Sequence, residues 1–245
     1  MDKQQRDPRD YLIVAMDVPG RNEALKLAET LHGEVGYFKI GLQLYTACGP
    51  EIVRAIKQLG GKVFLDLKLH DIPNTVAGAV FEAARLEVSL LTLHTLGGGK
   101  MMSAAAAAAR EAAETLGVIP PRLLGVTILT SMDEEEALRI GLARPIDDMV
   151  LQLAGLAESS GLEGIVCSPL ELEAVSSRFS ERLFFVTPGI RPAGSDLNDQ
   201  SRITTPARAV AGGAGHLVVG RPITRASDPA AAARSIVEEI RQTLG

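Results

Sequence analysis

Along this 245-residue chain, short apolar runs alternate with stretches whose apolar residues recur at helical spacing. The runs at 11–17, 36–41, 62–68, 90–95, 122–129, 164–168, 183–187 and 216–220 are almost continuously apolar. That is the pattern of strands covered on both faces. Between them, residues 22–31, 51–59, 74–86, 100–116, 147–159, 171–179 and 230–244 carry the period of amphipathic helices. The all-alanine stretch 104–109 continues into Arg-Glu-Ala-Ala-Glu and reads as a strong helix. Alternation eight times over this length predicts an α/β fold of the (β/α)8 TIM-barrel type, a single domain over 1–245 with 1–10 a short N-terminal extension. The competing arrangement is an open doubly wound sheet, but the first strand is not followed by the Gly-rich turn expected there. The loop after the seventh strand, about 188–202, is long and rich in Gly, Pro, Ser and Asp, as lids and binding segments often are.

Composition narrows the function classes only slightly. A hydrophobic content of 46% is that of a globular protein, and a net charge of −5 argues against a nucleic-acid surface. The charged N-terminus has no apolar segment of the secretory type, and no run approaches membrane-spanning length, so a cytoplasmic location with no membrane partner is expected. Cys48 and Cys167 lie far apart in no metal-like spacing, and are expected to be inert free thiols.

Polar residues are informative where they fall at strand ends, because such barrels build their sites at the carboxyl ends of the strands. Strand one ends at Asp17, strand two carries Lys39, and strand three carries Asp66 and Lys68, with Asp71 just beyond. Residues two apart on a strand leave by the same face, so Asp66 and Lys68 should meet. An Asp and a Lys on a buried-looking strand are either a structural ion pair or a retained piece of chemistry. Lys39, between Phe38 and Ile40, should point into the mouth. Strands seven and eight lead to Arg191 and to Gly220-Arg221, a cationic edge where barrels of this type commonly bind phosphate. His70 and His94 read as packing residues rather than catalysts, and no His/Asp/Glu cluster suggests a metal.

The run Asp66-Leu-Lys68-Leu-His-Asp71-Ile-Pro-Asn-Thr75 resembles the signature of the orotidine 5′-phosphate decarboxylase family. The resemblance extends in order through Met16-Asp17, Phe38-Lys39-Ile-Gly, Thr127-Ile-Leu-Thr130-Ser, Thr187-Pro-Gly-Ile-Arg191-Pro, Asp199-Gln200 and Val219-Gly220-Arg221. The Asp-x-Lys-x-x-Asp core alone is shared by a wider suprafamily, which includes magnesium-dependent sugar-phosphate decarboxylases and aldolases. The resemblance implies a cofactor-free decarboxylation of orotidine 5′-phosphate to UMP in pyrimidine biosynthesis. It implies Lys68 as proton donor to C6, flanked by Asp66 and by Asp71, with Asp71 and Thr75 reaching the site of a second subunit in a homodimer. It further implies Asp17 and Lys39 at the ribose, Thr130 at the pyrimidine edge, and Arg191, Gln200, Gly220 and Arg221 around the 5′-phosphate. Thr127 and Ser131 remain open as substitutes for Thr130. A non-catalytic nucleotide-binding barrel is the alternative from another class.

Overall fold

The computed structural model describes residues 6–192 and 204–245. Eight parallel strands close into a barrel in sequence order. They are β1 (Leu12–Ala15), β2 (Tyr37–Gly41), β3 (Val63–Leu69), β4 (Leu90–His94), β5 (Arg122–Val126), β6 (Gly164–Val166), β7 (Phe184–Thr187) and β8 (His216–Val219). The barrel is therefore confirmed, and the open sheet is excluded by the β1–β8 pairing of Leu12 with Leu217 and Val14 with Val219.

Each strand divides its side chains between two cores. Ile13, Phe64, Leu90, Leu124 and Val186 pack together inside the barrel, whereas Leu12, Val14, Val63, Leu65, Leu91 and Leu93 face outward into the larger core under the helices. Strict alternation then sends the next residues of interior parity toward the mouth: Asp17 after Ile13, Lys39 after Tyr37, Asp66 after Phe64 and Thr92 after Leu90. The charged site thus stands on an apolar floor by strand geometry alone.

The expected helices are present as α1 (Arg21–Leu31), α3 (Glu51–Gln58), α4 (Pro73–Arg85), α5 (Gly98–Leu116), α7 (Ile146–Ser159), α8 (Leu172–Phe179) and α11 (Pro229–Leu244). Four short helices fall outside the sequence prediction: α2 (Leu42–Cys48), α6 (Glu134–Arg139), α9 (Pro206–Ala211) and α10 (Arg221–Thr224). All are shorter than the roughly 12 residues over which periodicity becomes legible. Cys167 is fully buried, and its thiol is pushed up by desolvation, so it is held un-ionised; Cys48 at the end of α2 is half-buried. Among the described residues no helix is long and apolar enough to cross a membrane.

Candidate active site

The key local irregularity lies in β3. Phe64 and Leu65 pair with Leu90 and Leu91, but the next partners are Leu69 and Leu93, so β3 spends four residues where β4 spends two. The excess is a bulge at Asp66–Lys68, and Lys68 sits there at φ 51°, in the left-handed region that L side chains rarely adopt. The expectation that Asp66 and Lys68 meet is fulfilled, though not by simple alternation. The bulge turns the Lys68 side chain back so that Nζ donates to both Asp66 carboxylate oxygens, each at 2.9 Å. A bulky residue held at positive φ is costly, and such conformations concentrate at functional sites.

Charges then alternate around one wall. Asp17 Oδ1 accepts from Lys39 Nζ at 3.2 Å, and the same ammonium lies 3.7 Å from Asp66 Oδ2. Asp66 is thereby spanned by two cations in a nearly dry setting, with side-chain exposures of 13% for Asp66, 12% for Lys39 and 32% for Lys68. Thr92 Oγ1 adds a further hydrogen bond to Asp66 Oδ1 at 2.9 Å. Gly41 belongs to this wall for a steric reason, since a Cβ there would stand 3.0 Å from Lys39 Nζ.

These residues line a cavity of about 490 Å³ at the carboxyl ends of the strands. Its floor is Ala15, Phe64, Val166 and Val218; Asp17, Lys39, Asp66 and Lys68 line it from β1 to β3; and Arg191, Gly220 and Arg221 line it from the ends of β7 and β8. Arg191 is 7% exposed, spends Nη1 on the Ile190 carbonyl and leaves its buried Nε without a partner. Burial and the nearby Arg221 guanidinium both disfavour its charge. Two guanidiniums facing one space in this way make a cradle for an anion. The Ile190–Thr204 bridge, in which Arg191 N–H donates to the Thr204 carbonyl at 2.9 Å, fixes the backbone at this edge.

Thr130 lines the cavity. Thr127 is buried with its hydroxyl donated to the Val166 carbonyl at 3.0 Å, and Ser131 is exposed. Asp71 and Thr75 do not join the cavity of a single chain; both are exposed at the start of α4, where Asp71 Oδ1 accepts the Ile72 N–H at 2.6 Å. Gln200 lies outside the described residues. His70 and His94 stack with ring centroids 5.4 Å apart, off the cavity wall, and His94 is pushed below its ordinary value by burial and by the nearby His70 and Lys68. Sequence reasoning missed three polar lining residues, Gln43, Thr224 and Arg225. Gln43 is on α2 and Thr224 on α10, short helices that periodicity did not show, and Arg225 directly follows α10.

A closed parallel barrel whose mouth gathers Asp17, Lys39, Asp66 and Lys68 with Arg191 and Arg221 in one cavity has the site placement of α/β-barrel enzymes. Among the described residues no group of three or more His, Cys, Asp or Glu is placed to hold a metal ion. Comparison with known proteins gives the particular family. The profile of the orotidine 5′-phosphate decarboxylase / HUMPS family matches residues 10–236, and the chain belongs to that family. It is 49% identical over 238 residues to the orotidine 5′-phosphate decarboxylase of Syntrophotalea carbinolica, covering 97% of this chain and 98% of the relative. It is 52% identical over 231 residues to that of Halorhodospira halophila, covering 94% and 95%. The crystal structure of orotidine 5′-phosphate decarboxylase from Lactobacillus acidophilus superposes with a TM-score of 0.83 at 38% identity, covering 94% of this chain and 98% of the other.

Proposed function

We propose that this protein is a carboxy-lyase that converts orotidine 5′-phosphate to UMP and carbon dioxide without a cofactor, in pyrimidine biosynthesis. The observation that carries the reading is the Asp17–Lys39–Asp66–Lys68 array sharing one cavity with Arg191 and Arg221. The cradle takes the 5′-phosphate through Arg191, Arg221 and the Gly220 backbone. Asp17 and Lys39 take the ribose hydroxyls, and Thr130 takes the pyrimidine edge.

Departure of carbon dioxide from C6 leaves an electron pair in the ring plane, which the ring π system cannot delocalise. An ammonium fixed beside C6 stabilises that charge as it develops and then quenches it by proton transfer. Lys68 is that group: its side chain lines the cavity, and its two hydrogen bonds to Asp66 hold Nζ in place. The bond from C6 to the carboxyl carbon breaks, its electron pair stays on C6, and one Nζ proton moves to C6. Phosphate binding at the ends of β7 and β8 supplies binding energy remote from the reacting carbon.

Asp71 and Thr75 act across a homodimer interface in this reading. Their exposure supports it, as does apolar surface following the ends of three neighbouring strands: Leu42 (57% exposed), Ile72 (66%) and Leu96 (38%). Mixing Lys68→Ala with Asp71→Ala subunits restores part of the activity if Asp71 works in trans, and restores none if it does not.

The primary test follows the loss of orotate absorbance with metal-free protein. The parent turns over, and Lys68→Ala is slower by at least about 1,000-fold. A parent that leaves the absorbance unchanged, or a Lys68→Ala variant as fast as the parent, refutes the reading. Turnover of a keto-hexulose phosphate that depends on added magnesium would instead place the chain on the metal-dependent branch.

A further inference from the structure

The hydroxyl of Thr92 occupies the gap that the β3 bulge opens. Thr92 is fully buried on β4, on the interior face between Leu90 and His94, and it is not among the residues that line the site cavity. Its Oγ1 accepts the Lys68 backbone N–H at 2.9 Å and lies 2.9 Å from Asp66 Oδ1. A backbone N–H can only donate, so the single hydroxyl proton is left for the carboxylate, and the relay runs in one direction from peptide to hydroxyl to Asp66. The N–H that the bulge removes from the strand ladder is thereby satisfied, at the residue held at φ 51°.

We propose that Thr92 is a positioning residue: it clamps the Lys68 peptide in its left-handed conformation and orients the Asp66 carboxylate so that both oxygens face Lys68 Nζ. The proposal rests on the reading of Lys68 as proton donor. Other buried threonines nearby show what a merely structural hydroxyl does. Thr95 donates to the Val126 carbonyl at 2.8 Å and Thr127 to the Val166 carbonyl at 3.0 Å, so each serves only the backbone of a neighbouring strand. Both partners of Thr92 belong instead to the Asp66–Lys68 pair. Valine matches threonine in shape but can neither accept the N–H nor donate to the carboxylate, whereas serine can do both.

The test compares Thr92→Val, Thr92→Ser and Thr95→Val with the parent, using orotidine 5′-phosphate. Misplacing the ammonium by a fraction of an ångström lowers kcat of Thr92→Val by about 100-fold. The KM of that variant stays within about threefold, because the phosphate and ribose contacts lie on other strands. Thr92→Ser recovers most of kcat, and Thr95→Val, a matched loss of one buried hydroxyl, retains it. Parental kcat in Thr92→Val overturns the proposal, as does an equal loss in Thr95→Val. Should Thr92→Val not fold, Thr92→Ala carries the same measurements. A crystal structure of the variant separates positioning from activity. Lys68 is expected to leave the left-handed region, or Nζ to withdraw from Asp66. An unmoved Lys68 refutes the clamp even if the parent proved inactive, and a displaced Lys68 in an inactive protein would sustain the clamp and refute only the assigned reaction.

Discussion

Replacing Asp66 with Asn tests whether the charged wall is held together by its own attraction. Asn keeps the shape and one acceptor oxygen, but it removes the anion shared by Lys68 at 2.9 Å and Lys39 at 3.7 Å, and it turns an NH2 group toward cations that can only donate. At an effective dielectric near 20, each ion pair at such distances is worth about 5 kcal/mol before desolvation is charged against it. Breaking a buried pair by removing one partner costs about 3–5 kcal/mol net, and the partial exposure of Lys68 places this case near about 3 kcal/mol. For a chain of 245 residues that corresponds to a fall in melting temperature of about 6 °C. Thermal unfolding of the two proteins at one pH, followed by circular dichroism, measures the difference, and orotidine 5′-phosphate turnover should fall by at least about 100-fold alongside it. A variant that melts within about 1 °C of the parent, or above it, refutes the reasoning. It would mean that repulsion among the carboxylates offsets the attraction to the lysines, and that the fold sustains the array at a cost.

The other predictions concern the cradle and the barrel base. Arg191→Ala should raise the KM for the phosphorylated substrate by about 30-fold, the equivalent of one charge-assisted contact of about 2 kcal/mol, with a smaller effect on KM for the nucleoside lacking the phosphate; equal effects on both would remove Arg191 from the phosphate. His216, buried under the barrel with its Nδ1 2.9 Å from the Asp10 carbonyl, is held well below its ordinary 6.5 by burial first and then by Arg6. It is neutral in the fold and takes up a proton in the unfolded chain as pH drops below about 6.5, so its contribution is present above that pH and is lost as pH falls, by up to about 1.4 kcal/mol per pH unit. Melting temperatures between about pH 7.5 and pH 5 should therefore fall more steeply for the parent than for His216→Gln, and parallel curves would contradict the assignment.

Much of this protein was legible in its order of residues. Near-continuous apolar strands alternating with helices specify a barrel because only a sheet covered on both faces can bury such strands. With the barrel established, the positions of Asp17, Lys39, Asp66, Lys68, Arg191 and Arg221 at strand ends predict a common mouth, and all six line one cavity. Helix α6 was also readable but passed over: Asp133 precedes Glu136 in capping-box spacing, and its carboxylate does accept the Glu136 N–H at 2.8 Å.

Other features depended on contacts between residues distant in sequence. The β3 bulge arises from how β3 registers against β4, and nothing local to Leu67 or Lys68 announces it. Thr92 looks like an ordinary threonine in an apolar strand until that register sets its hydroxyl between the Lys68 peptide and Asp66, 26 residues away along the chain. The choice of Thr130 over Thr127 for the cavity wall turned likewise on a hydroxyl already taken by Val166 on the adjacent strand. Periodicity fixes which face a residue shares, and so the sequence by itself determined the barrel and the residues that meet at its mouth. Hydrogen-bond direction and backbone conformation depend on the neighbouring strand, and only the tertiary structure could decide them.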